Sequence, residues 1–317
     1  MKSGFVILDK PSGMTSRQAG WRIAKMFGQR KFGHIGTLDP MASGVLPIAL
    51  GEATKMIPYL DGTAVQKGTR HEALGNSRDK EYEFSIKWGI ETDTGDMDGN
   101  IIKENTRCPV PSAQCLFRAC AELIGEIEQT PPVYSAIKIN GKKAYELARK
   151  GIDIEMPVRR VEVRELRVEL DKFTVKCSAG TYVRTLVQQI IEKINQKSRT
   201  TNTNHEHDFI GTTNMIRRTG SNGFLIKDAV SLDFLENLYN NSPADIIAYL
   251  QPIDFGLEDI LVLELNETDA MRFDQGQVIS NQEPVISGLR RVYHSGKFLG
   301  IAELVGGQLK PRRVMNN

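Results

Sequence analysis

The run from Glu81 to Trp88 constrains the fold more than any other segment. Tyr82, Phe84, Ile86 and Trp88 alternate with Glu81, Glu83, Ser85 and Lys87, and a period of two sets the large apolar side chains on one face of a half-buried strand. Such a strand requires a sheet and an apolar layer to cover it. The rest of the chain supplies both, in irregular order. Phe5–Leu8 and Val45–Leu50 read as buried strands. Between them Thr15 or Ser16 caps a helix with Ala19, Ile23 and Phe27 on one face and Gly28 at its end. Ser112 caps a second helix carrying Leu116, Cys120 and Leu123, and a shorter helix over 142–150 stops at Gly151. Val161 and Val163, then Leu166, Val168 and Leu170, alternate with the one-residue slip that a bulge makes. Asp171-Lys172 then turns the chain into Phe173, Val175 and Cys177. From Thr181 the spacing of Leu186, Val187, Ile190, Ile191 and Ile194 is helical. Strands and helices in this order, with at least one hairpin, predict an α+β fold rather than a doubly wound parallel sheet.

After about residue 250 the texture changes to short strands: Ile260–Leu265, Val278-Ile279, Phe298–Val305 and Leu309–Val314, the last two joined at Gly306-Gly307. The expected division is residues 1–250 and a small β-rich unit over 251–317. Two polar stretches, 63–79 and 196–214, read as surface insertions.

A chain of 317 residues can bury a full core without disulfide or metal staples. Cys108, Cys115, Cys120 and Cys177 have neither CxxC spacing nor a histidine pair nearby, which argues against a disulfide framework or a zinc site. The start, Met1–Phe5, lacks the apolar run of a secretory signal, and no segment is long enough to span a bilayer, so a cytoplasmic protein is expected. The net charge of +2 says little about partners, but its distribution says more. No acidic residue falls between Lys10 and Asp39, whereas Arg17, Arg22, Lys25, Arg30 and Lys31 do. Lys138, Lys142, Lys143, Arg159, Arg160, Lys310, Arg312 and Arg313 add further basic stripes. Together they suit a polyanion bound on one face; each alone reads equally as a solvated face.

The chemistry concentrates in Gly33-His34-Ile35-Gly36-Thr37-Leu38-Asp39-Pro40-Met41-Ala42-Ser43-Gly44. Pro40 pushes Asp39 out of helical space, and the glycines allow sharp turns and close approach of a ligand. An acidic side chain is thereby displayed within a basic stretch, where positive charge is expected to keep it ionised for work as a nucleophile or base. Asp before Pro is also an ordinary turn initiator. Arg184, in Gly180-Thr181-Tyr182-Val183-Arg184, falls in the first turn of a helix, where the dipole disfavours a cation; a buried carboxylate would offset that, and Asp39 is the natural candidate. Tyr82 shares a face with core aromatics but stands first in the row, where a ring can cover a base and its hydroxyl stays available for proton transfer.

These segments resemble the TruB family of bacterial tRNA pseudouridine synthases. The resemblance runs in order through Asp9–Ser16, Gly33–Pro47, Gly51–Lys55, Lys80-Glu81-Tyr82, Thr92–Gly99, Gln129–Lys138, Gly141 with Ala144–Arg149, and Cys177–Arg184. It implies a pseudouridine synthase fold, with a mixed, largely antiparallel central sheet flanked by helices and a C-terminal PUA-like RNA-binding domain. The implied activity is isomerisation of uridine to pseudouridine at position 55 in the T loop of tRNA. Asp39 would be the essential nucleophile, Tyr82 the ring stacked on the flipped base and a proton acceptor, and Arg184 the partner of Asp39. Lys10 would buttress the substrate pocket, His34 fill the stack left by extruded bases, and Tyr182 and Ile216 contact the substrate. No metal or other cofactor is implied, the partner is the tRNA T-stem-loop, and a monomer with no obligatory protein partner is expected. The stretches 63–79 and 196–214 lengthen the family pattern. Two other readings compete: a non-catalytic tRNA-binding or folding protein on the same scaffold, which has no need of all three of Asp39, Tyr82 and Arg184, and a glycoside hydrolase, which needs a second carboxylate near Asp39. Asp93, Asp96 and Asp98 are the cluster that could supply it, and their spacing reads better as a turn.

Overall fold

The computed structural model describes residues 2–62, 79–200, 208–280 and 287–315. The first part of the chain builds one sheet from β1 (Gly4–Lys10), β2 (Phe32–His34), β3 (Ser43–Leu50), β4 (Lys80–Trp88), β5 (Gly125–Gln129), β6 (Arg159–Glu169), β7 (Lys172–Cys177), β8 (Gly211–Ser221), β9 (Phe224–Leu225) and β10 (Val230–Ser231). Their order is β10-β1-β3-β8-β4-β7-β6-β5, with β2 paired to β3 and β9 to β8. Only β1/β10 and β3/β8 are parallel, so the sheet is mixed and largely antiparallel, as expected.

Four helices cover one face: α1 (Ser16–Met26), α2 (Ala113–Ala121), α3 (Val183–Thr200) and α4 (Leu232–Asn241). The capping signals act where the sequence puts them. Thr15 and Gln18 form a reciprocal capping box at α1, and Ser112 accepts from the Cys115 amide at α2. Side chains alternate as the pattern requires. Val6, Leu8, Phe84 and Ile86 join Ile23, Leu116, Leu186 and Ile190 in the helix-side core, and Phe84 stacks on Phe173 with centroids 5.0 Å apart. The bulge falls between Val163 and Glu165.

The other face is divided. At β1 and β3, Phe5, Ile7, Val45 and Ala49 pack with Leu257, Ile260, Ile301 and Met315 from the C-terminal part of the chain. At β4 and β7 the same face is polar and carries ion pairs such as Lys172–Glu83 at 2.8 Å. This is why β1 reads as a continuous apolar run and β4 as an alternation: the first is covered on both sides and the second on one.

The C-terminal part forms a four-stranded sheet, β11 (Val262–Glu264), β12 (Gly288–His294), β13 (Lys297–Val305) and β14 (Gln308–Val314). Its own core joins Leu263, Val292, Leu304 and Leu309 to Phe273 of a helix, Glu267–Asp274, that the sequence patterns did not reveal. Gln251 exchanges two backbone hydrogen bonds with Phe5 at 3.0 and 2.7 Å, so the chain is still paired to the first sheet at residue 251.

The stretch 196–214 is not one surface insertion. Helix α3 continues to Thr200 and β8 begins at Gly211, while Phe209 and Ile210 are buried. Residues 201–207, and residues 63–78 of the other expected insertion, lie outside the described residues.

Candidate active site

The loop joining β2 to β3 carries Asp39, and it is pinned from two sides. From the N-terminal side, Lys10 Nζ donates to the carbonyls of Pro11 and Met14 at 2.8 Å and to Pro40 at 3.4 Å. Ser16 Oγ holds both the amide and carbonyl of Leu38, at 2.9 and 3.0 Å, and the Gly13 amide donates to the Pro40 carbonyl at 2.9 Å. From the other side comes Arg218 of β8, fully buried. Its Nε donates to the Val45 carbonyl and its Nη2 to the Gly36 carbonyl, each at 2.8 Å. Two glycines make that approach possible. A Cβ at Gly44, whose φ is +105°, would lie 2.1 Å from the Arg218 carbonyl oxygen, and one at Gly36 would lie 3.0 Å from Arg218 Nη1.

Asp39 and Arg184, the pair expected from the sequence, meet at 3.0 Å. Arg184 stands at the second residue of α3 with its side chain 4% exposed. Its Nη1 donates to the Thr94 carbonyl at 2.8 Å and its Nη2 to the Tyr134 carbonyl at 2.9 Å. A second carboxylate, Asp96, faces Nη1 at 3.3 Å. The Asp93–Asp98 segment is indeed a turn: Asp96 Oδ1 accepts from Thr94 Oγ1 at 2.6 Å and from the Asp98 amide at 3.1 Å. Asp96 is therefore a buried anchor for Arg184, a role that periodicity could not reveal because the turn lies far from both partners in sequence.

Asp39, Tyr82, Tyr182, Arg184 and Ile216 all line one cavity of about 430 Å³, together with Lys80. The Asp39 side chain keeps 35% of its surface, so it is reachable, but it faces a cleft rather than bulk water. Burial is the largest influence on it and pushes its carboxyl above the usual range; Arg184 and Lys10 oppose that shift and Asp96 adds to it. Burial and the surrounding positive charge thus act on Asp39 in opposite senses. Tyr82 is pushed up to about 12, first by burial, with the Arg218 guanidinium facing its hydroxyl and partly offsetting this. Ile216 is 4% exposed and sits opposite Phe84 in the sheet. Tyr182 is held at the entrance to α3 by its amide, which donates to Gln129 Oε1 at 2.9 Å; burial raises its phenol.

Two expected site residues are not on the cavity wall. Lys10 is wholly buried, pushed down to about 8 chiefly by desolvation, and its ammonium is occupied by the three carbonyls named above. It fixes the Asp39 loop from below. His34 pairs with Thr37 Oγ1 at 3.1 Å, and burial, with Arg218 and Lys143, holds it below its usual range as a neutral imidazole. Lys80 and Arg218 were missed by sequence reasoning. Lys80 entered only as the start of a motif with Tyr82, and Arg218 carried no expected role. Basic residues in a polar stretch give no signal that distinguishes a buried guanidinium from a solvated one.

An acid-bearing loop set across a mixed sheet in this way defines a fold class. Over 99% of this chain and 85% of theirs, the fold matches a solved chain titled "Structure of H/ACA RNP bound to a substrate RNA containing 2'-deoxyuridine", with TM-score 0.62 at 20% identity. A chain of a "Cbf5-Nop10-Gar1 Complex" matches with the same TM-score and identity. These likenesses define the fold that the chain shares with them.

The sequence comparisons resolve the family. The model described as "TruB family pseudouridylate synthase (N terminal domain)" matches residues 24–66 and 63–183, and "Pseudouridine synthase II TruB, C-terminal" matches residues 262–315. The tRNA pseudouridine synthase B of Caulobacter sp. (strain K31) is 34% identical, covering 98% of this chain and 96% of its own. That of Streptococcus thermophilus (strain CNRZ 1066) is 35% identical over the full length of both, and that of Azoarcus sp. (strain BH72) is 37% identical over 98% of this chain and 94% of its own. This chain belongs to the TruB family of pseudouridine synthases, and is an isomerase. Among the described residues no helix is long and apolar enough to cross a membrane.

Proposed function

We propose that this enzyme converts the uridine at position 55 in the T loop of tRNA into pseudouridine, with Asp39 as the carboxylate that acts on the target nucleotide. The observation that carries this reading is the Asp39–Arg184 pair, at 3.0 Å, opening into the same cavity as Tyr82 and Ile216. Isomerisation breaks the N1–C1′ bond, turns the base and rejoins it through C5; C5 loses a proton and N1 gains one, so no external reactant is consumed. A buried target atom cannot be reached in a stacked helix, so the nucleotide must be flipped out, at a cost of a few kcal/mol recovered by contacts in the pocket. Tyr82 offers the face on which the uracil stacks, and Ile216 the apolar floor. With its phenol near 12, Tyr82 enters the reaction protonated, and any acceptance of a proton there depends on the facing Arg218. Arg184 orients Asp39 and offsets the desolvation of its charge. Recognition of the tRNA rests on loop shape and phosphate contacts, for which Lys138 and Arg159 line the cavity.

The non-catalytic alternative has no use for a desolvated carboxylate clamped by an arginine that a second carboxylate, Asp96, also holds. The test is incubation of Asp39→Asn and wild type with unmodified tRNA, followed by mapping of pseudouridine at nucleotide resolution. The variant is expected to bind tRNA within about threefold of wild type and to form no product, since the reacting group itself is gone. Normal turnover by the variant would refute the role of Asp39, and product at a different nucleotide would refute the site assignment.

A further inference from the structure

Lys80 is a cation on the cavity wall to which the reaction scheme gives no part. It lies two residues before Tyr82 on β4, and alternation puts both side chains on the same face. Its Nζ stands 3.5 Å from the Cβ position of Gly36, three residues before Asp39 on the pinned loop. It has no hydrogen bond and no ion pair among the described residues, although Lys10, the other lysine beside the loop, has three acceptors. An ammonium half-buried in a cavity wall without acceptors is better satisfied when a ligand supplies one. Burial is the main reason it is pushed down to about 8, with Arg218 acting in the same sense and Cys177 and Asp61 against it; it is still the charged form at neutral pH.

We propose that Lys80 donates to a carbonyl oxygen of the flipped uracil and supports the negative charge that gathers there while the base is detached from the sugar. The assignment rests on the pseudouridine synthase reading above. When the N1–C1′ bond breaks heterolytically, its electron pair stays with the base and spreads over N1, O2 and, through the conjugated C6–C5–C4 path, O4. A fixed cation in a water-poor site stabilises such charge far more than water would. No proton needs to leave Lys80: the pair kept by the base is returned when C5 attacks the electron-deficient C1′, after which C5 loses its proton and N1 gains one. The same ammonium meets uracil with acceptors on both sides, whereas cytosine would present an amino group where uracil carries O4. Lys80 is a specificity determinant as well if the carbonyl it meets is O4, which slowing on 4-thiouridine alone would show.

The experiment is single-turnover pseudouridine formation by the full chain on tRNA carrying uridine, 2-thiouridine or 4-thiouridine at the target position, with wild type, Lys80→Gln and Lys80→Met. Sulfur is a poorer acceptor, so one of the two thio bases is expected to slow wild type about tenfold. Lys80→Met is expected to bind tRNA within about threefold of wild type, to react about a hundredfold more slowly on uridine, and to show less than about a twofold further loss on the same thio base. Lys80→Gln, which keeps a neutral donor, should fall between the two. Turnover by Lys80→Met within threefold of wild type, or an undiminished thio effect in that variant, overturns the proposal. If Lys80→Met fails to fold, the wild-type arm decides: equal rates on all three bases overturn it. A wild type that makes no pseudouridine on plain tRNA instead defeats the enzymatic reading itself, and that control is read first.

Discussion

Strands β4 and β8 lie side by side, pair along nearly their whole length, and face the same cavity, yet they are built by opposite rules. Tyr82 opposes Arg218 and Phe84 opposes Ile216. In β4 the buried residues are aromatic or aliphatic, and from Glu81 to Lys87 the polar ones point to the open face. In β8 the buried residues include Thr212, Thr213, Arg218 and Ser221, and the strand has only two aliphatic side chains, Met215 and Ile216. A strand of the first kind is held by apolar area. One of the second kind is tolerable only where its polar atoms find partners, which makes it stable site by site rather than as a surface. Arg218 shows the return: a cation held in the sheet reaches the carbonyls of Gly36 and Val45 and fixes the loop that bears Asp39. Apolar packing supplies the platform, and the polar strand supplies the register of the site upon it.

The contrast can be broken by substitution in each strand, read as shifts of the urea midpoint. The largest effect is expected at Phe84→Ala, about 3–5 kcal/mol, because a fully buried ring stacked on Phe173 leaves a cavity that a sheet cannot close; a loss below about 1 kcal/mol would mean that β4 is not held by packing. Arg218→Met should cost about 2–4 kcal/mol, since it strands two carbonyls while keeping most of the volume, and pseudouridine formation should fall as the Asp39 loop loosens. If Arg218→Met stabilised the protein and kept its activity, the pinning argument would be wrong. Thr212→Val should cost about 1 kcal/mol, the net worth of the hydrogen bond between Thr212 and Thr92 at 2.9 Å. The smallest effect is expected one residue on. Thr213 Oγ1 is buried with no hydrogen-bond partner among the described residues, so Thr213→Val should be neutral within about 0.5 kcal/mol, or slightly stabilising. Equal losses at Thr212 and Thr213 would show that the polar strand is held by something other than its individual bonds.

Much of the platform was legible because apolar periodicity and caps are local signals. Glu81–Trp88, the capped helix after Thr15, the bulge near Val163 and the turn at Gly306-Gly307 all appear where those signals lie. What escaped is equally specific. The start of β8, residues 211–214, passed for the end of an insertion because its burial is polar and has no period; α4, β12 and the helix at Glu267–Asp274 escaped notice. In the site, Asp39, Tyr82, Arg184, Tyr182 and Ile216 do come together at one cavity, while Lys10 and His34 stand behind and beside it.

Local chemistry along the chain was enough to specify an α+β sheet, an acid on a proline-broken loop and an arginine at a helix entrance, since each depends on residues within a few positions of one another. The desolvation of Asp39, the second carboxylate behind Arg184, the sealed position of Lys10 and the half-buried ammonium of Lys80 could not be specified that way. Burial and long-range pairing set them, and those exist only once segments from distant parts of the chain have been laid against each other.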